Sequence, residues 1–123
     1  MNTKDSLVYY ALKVSCQIYK AKKDNVTNNN NRKAETIKAK RMFMYYLYFY
    51  LEVNHMQMKK YFKTLNHATS IHHVNKFKFE LEKYNDVKKQ YNKFLTKMRQ
   101  FSVYGSGFYE KRKQIKELIK ELK

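Results

Sequence analysis

Apolar positions recur with a helical period along most of the chain. Leu7, Tyr10, Ala11, Val14 and Ile18 form one amphipathic stripe, which predicts a first helix over residues 5–21. From Ala34 to Glu52 a basic start gives way to MFMYYLYFYL, apolar nearly all round, as the central helix of a small bundle must be. The tyrosine hydroxyls at 45, 46, 48 and 50 cannot all be buried without partners, so some must reach the surface. A short helix over 55–63 offers Met56, Met58, Tyr61 and Phe62 as apolar contacts. Thr64 and Leu65 then make a tight corner, and Asn66 is a good N-cap for a helix over 67–83. Ile71, Val74, Phe77 and Leu81 give that helix one buried face. Asn85 and Asp86 break the pattern and open a helix over 86–101, whose apolar face is Val87, Tyr91, Phe94, Leu95, Met98 and Phe101.

Two stretches interrupt the period. Residues 22–33 are polar, carry four consecutive asparagines, and read as a loop or flexible arm. Residues 102–109 hold the only glycines and read as a hinge. Beyond it, Ile115, Leu118, Ile119 and Leu122 predict a final helix over 109–122. Four turns are marginal in isolation, so this helix is expected to dock on the domain or to pair with a second copy in a homodimer. The fold class is all-α: a small helical bundle over 1–101 with an extra C-terminal helix in 102–123.

Composition narrows the partners. The chain has 123 residues, enough for one core, with 27 Lys plus Arg against 10 Asp plus Glu and a net charge of +17. That excess favours a polyanion: nucleic acid, an acidic membrane surface or an acidic protein. An apolar content of 43% is too high for a disordered basic tail. The single cysteine, Cys16, excludes an internal disulfide and suits a reducing compartment as a small buried thiol. MNTKDS lacks the layout of a signal peptide, and the apolar run 42–51 is about half the length that crosses a bilayer. The expectation is a soluble, cytoplasmic protein without a membrane partner.

The stretch from Asn54 to Phe77 carries the chemistry. A helix backed by apolar residues, with His67, Ala68, Thr69, His72 and His73 on the other side of its first turns, has what a major-groove reader needs. An ordinary helical hairpin with a solvated face fits the same pattern. The four histidines bring no cysteine pair and no carboxylate at a ligand spacing, so neither a metal nor any other cofactor is expected. No paired carboxylates lie in an apolar setting and no glycine loop can cradle a phosphate, which argues against an enzyme and leaves no catalytic residue to name.

HATSIHHV after Asn66 resembles the recognition-helix signature of the DNA-binding C-terminal domain, domain IV, of the bacterial replication initiator DnaA, Asp-His-Thr-Thr-Val-Leu-His-Ala. RMFMYYLYFYL at 41–51 resembles the family's long apolar helix, Lys38–Arg41 falls where the family has Arg-Pro-Arg-Gln, and NDVKKQYNKFLTKM at 85–98 resembles its last helix. The likeness covers residues 32–98 in order, and the family's ATPase has no room here. It implies a Trp-repressor-like helix-turn-helix that binds double-stranded DNA. Asn66, His67, Ala68 and Thr69 would read bases, Arg32 would enter a narrow minor groove, and Lys38, Lys40, Arg41, Lys59, Lys60, Lys63 and His72 would meet phosphates. Asn66 in place of the family's aspartate implies bidentate pairing with adenine and a target richer in A·T.

On that likeness the chain is expected to be a sequence-specific DNA-binding protein in replication initiation or transcriptional control, with a replication protein as a further partner. The Asn, Lys, Tyr, Ile and Phe bias suits an A/T-rich genome and a phage or mobile element. The competing reading keeps the fold and loses the base readout, through the changes at 66, 68, 70 and 73. The basic surface then binds nucleic acid without sequence preference, or binds an acidic protein.

Overall fold

The computed structural model describes residues 3–28, 33–63 and 65–104, with the side chains of Thr3, His67 and residues 101–104 outside that description. Within these residues the protein is all-helical: α1 (Thr3–Tyr19), α2 (Lys23–Val26), α3 (Ala34–Phe49), α4 (His55–Met58) continued by a 3₁₀ turn (Lys59–Tyr61), α5 (His67–Lys83) and α6 (Asn85–Tyr104). Helix α3 is the hub and packs against α1, α2, α4 and α5, while α6 closes the bundle against α1 and α5. Its MFMYYLYF run does what an all-round apolar helix must: Met42, Phe43, Met44, Tyr46 and Leu47 are all buried. Tyr50, at its end, reaches solvent, as the excess of hydroxyls requires.

Rings fill the seam between α3, α5 and α6. Tyr45 contacts Phe77 and Tyr91 with centroids 5.1 and 5.4 Å apart, and Tyr46 meets Phe94 edge-on at 5.0 Å. Such edge-to-face pairs add about 0.5–1.5 kcal/mol each beyond the area they bury. Burial among these rings pushes the Tyr91 hydroxyl above its usual range. Cys16 is buried in α1, and burial pushes its thiol up to about 11, which keeps it protonated and inert. Helix α1 ends in a Schellman turn: Lys20 adopts φ 56° and the Ala21 amide donates to the Cys16 carbonyl at 2.9 Å.

Four expectations change. The 22–33 stretch is not simply a loop, because residues 22–28 dock on the bundle through the short helix α2, with Val26 fully buried. The Lys63 amide donates to the Thr27 carbonyl at 3.0 Å, and the Lys40 ammonium donates to the Asn28 carbonyl at 3.2 Å. Met56 lies on the surface; Met58 and Phe62 hold the short helix to the core. The buried stripe of α5 begins at Ser70, not Ile71: Ser70, Val74 and Phe77 are inside and Ile71 is at the surface. Ser102–Tyr104 continue α6 as helix, and the rest of the expected hinge, residues 105–109 with both glycines, lies outside the described residues. The expected final helix over 109–122 lies outside the described residues.

Candidate nucleic-acid interface

The corner at 54–70 is built from two capped helices and one polar bridge. Asn54 and Gln57 form a capping box: the Asn54 Oδ1 accepts from the Gln57 amide at 2.8 Å, and the Asn54 amide donates to the Gln57 Oε1 at 3.0 Å. The N-x-x-Q spacing in the sequence is enough to find it. At the second helix the Asn66 Oδ1 accepts from the Ala68 amide at 2.8 Å, which confirms the expected cap. Between them, Ser70 Oγ and His55 Nδ1 lie 2.8 Å apart, and the His55 ring stacks on Tyr48 at 4.6 Å and 24°. Sequence periodicity passes over this bridge, because a serine at an inward position looks like a polar interruption.

The bridge sets which residues face out. With Ser70, Val74 and Phe77 inside, the first turns of α5 expose Asn66, Ala68 and His72 and leave Thr69 half-buried. His67 opens the helix, but its side chain lies outside the described residues, as does the whole of Arg32. His73 turns back toward α3. The Arg41 Nε donates to its Nδ1 at 3.4 Å, and the Arg41 guanidinium bridges to Glu80 at 3.0 Å. Burial, reinforced by the charges of Arg41, Lys40 and His72, lowers His73 to about 4, so the ring is neutral and its lone pair is free to accept.

The cations expected on phosphates divide into two groups. Lys59 and Lys63 are exposed beside the corner; Lys38 is exposed on α3, away from it. Lys40 is buried at 2% exposure and held on the Asn28 carbonyl, so it is no surface cation. Arg41 is occupied by His73 and Glu80. The exposed Lys60 ammonium lies 3.2 Å from Asp5, which also accepts from the Tyr61 hydroxyl at 2.8 Å. Those two hydrogen bonds, Tyr61 first, hold the Asp5 carboxyl below its usual range. Lys38 also lines a cleft of about 430 Å³ together with Tyr19, Glu80 and Asp86. Burial and then the two carboxylates push the Tyr19 hydroxyl up to about 12. The two carboxylates in this cleft oppose a polyanion beside Lys38.

The geometry also narrows what Asn66 can read. Bidentate pairing with adenine needs a side-chain acceptor and a donor together. The Oδ1 spends one of its two lone pairs on the Ala68 amide, so the expected pairing would have to use the second lone pair beside that bond, with the Nδ2 amide as the donor. No family model, curated protein or solved structure matches the chain. The reading of this corner therefore rests on its geometry and on the residue likeness described above. Among the described residues, no three His, Cys, Asp or Glu side chains converge as a metal site would need. No helix among them is long and apolar enough to cross a membrane.

Proposed function

We propose that this protein binds double-stranded DNA in a sequence-dependent way, with the N-terminal turns of α5 in the major groove as the second helix of a helix-turn-helix. The observation that carries this reading is the outward set Asn66, Ala68 and His72, with Thr69 half-buried beside them, on a helix fixed from behind by Ser70, Val74 and Phe77. Short side chains at a capped helix start allow close approach to base edges, and rigid backing keeps them in register. Lys59 and Lys63 flank the corner and supply phosphate contacts; His67 joins the readers and Arg32 the minor groove on the residue likeness alone. A module of this kind marks or occludes a site, recruits a replication partner or represses a promoter.

A second reading draws on the Asn66 cap and on the engagement of Lys40 and Arg41: the corner keeps the architecture but binds DNA without base readout. Selection from a randomised duplex pool at about 150 mM salt, near physiological screening, separates the two, with His67→Ala as control. Enrichment of one short motif that the variant loses supports base readout. Binding that fades with salt and enriches nothing refutes it and leaves the non-specific module.

A further inference from the structure

The outward face of α5 does not end with its first two turns. Phe79 lies half a helical turn away from the buried Ser70–Val74–Phe77 stripe and is 45% exposed. The Lys76 ammonium is 5.5 Å from the centre of its ring and the Lys83 ammonium 5.1 Å. His72, Lys76, Phe79 and Lys83 follow at steps of four, three and four residues, one continuous line along the helix. Glu80 is turned away and held by Arg41; Glu82 is the acidic side chain on the flank of the stripe.

We propose that this stripe is a stacking platform for single-stranded nucleic acid, with a base on the Phe79 ring and the neighbouring phosphates on Lys76 and Lys83. The chemistry is complementary part for part. A nucleotide in a single strand offers a planar π-face with an anion on each side, and the helix offers a planar π-face with a cation on each side. The two ammonium groups cover the ring in the free protein on long, exposed, flexible stems. Swinging them outward to phosphates opens the ring and exchanges an exposed cation–π contact for a base stack and two charge pairs. The platform proper, Lys76, Phe79 and Lys83, lies beyond the groove-reading turns, meets them only at His72, and does not depend on base readout there.

The test uses the full chain with Phe79→Trp, whose indole reports stacking, titrated with an oligothymidylate of about 15 nucleotides, within the range of single-strand site sizes. Saturable quenching of the indole is expected. Phe79→Ala is expected to weaken that strand by about 5- to 150-fold, the range for losing one base stack, and to leave duplex affinity unchanged. Phe79 is exposed, so both variants should keep the parental circular dichroism. Absence of quenching, or single-strand affinity within about twofold of the parent in Phe79→Ala, overturns the platform. So does a change of sedimentation in Phe79→Ala, which would assign the ring to a contact with a second copy. Loss of duplex selectivity with the single-strand effect intact would count against the groove reading and not against this one.

Discussion

Asn66 holds a helix together and stands where a base would be read, and one substitution separates the two roles. Its Oδ1 caps α5 through the Ala68 amide at 2.8 Å. Asn66→Ala removes the cap, which costs about 1 kcal/mol, or roughly 3–5 °C in Tm for a domain of this size. Asn66→Asp keeps an equivalent oxygen, adds a charge that the helix N-terminus favours, and should leave Tm within about 2 °C of the parent. The free group changes from the donor Nδ2 to a carboxylate oxygen that only accepts. Asparagine held in this way favours a base edge with an acceptor, such as thymine O4 or guanine O6. Aspartate favours one with a donor, cytosine N4 or adenine N6. A discrimination of about 1–3 kcal/mol per good base contact corresponds to roughly 5- to 150-fold at a single position of the site. Overall affinity should fall for every sequence, because the new charge faces phosphates. The assays are a thermal melt of the three proteins and duplex selection with each. A melt that drops in Asn66→Asp as far as in Asn66→Ala refutes the cap. An unchanged base preference in both variants refutes the contact.

The two buried serines should respond in opposite directions. Ser15→Ala removes a hydroxyl that has no hydrogen-bond partner among the described residues and should gain about 1 kcal/mol, whereas Ser70→Ala removes the bridge to His55 and should lose about 1–2 kcal/mol, both read by urea denaturation. His73 makes stability depend on pH. Its folded value of about 4 lies below the ordinary 6.5, so the unfolded chain binds the extra proton between these values. Its contribution is complete above about pH 6.5 and is lost as pH falls toward 4, by about 2–3 kcal/mol, and His73→Leu should flatten that part of the profile. The salt dependence of duplex binding sorts the cations: Lys59→Ala and Lys63→Ala should each reduce the log–log slope by about 0.9, and the buried Lys40→Met should leave it unchanged.

The periodic pattern by itself determined that the chain is helical, that the run at 42–49 is the hub, and that Asn66 starts a helix ending near Lys83. These properties are local. A helical period and a capping side chain act within a few residues, so they can be read in one dimension. Which way α5 is turned was not local. Ile71 and Ser70 both fit an inward stripe with Val74 and Phe77, and hydrophobicity chooses Ile71; the His55 ring, 15 residues earlier and stacked on Tyr48, reverses that choice by giving the buried Ser70 a hydrogen-bond partner. The fate of the charges was decided in the same way. Lys38, Lys40 and Arg41 look equivalent in a basic segment, yet one is exposed, one is buried against a docked loop, and one is taken by Glu80 and His73 from another helix. Charge counts survive folding, but the availability of a charge depends on partners distant in sequence. Only the tertiary structure therefore separated the cations free to meet a phosphate from those that hold the bundle together.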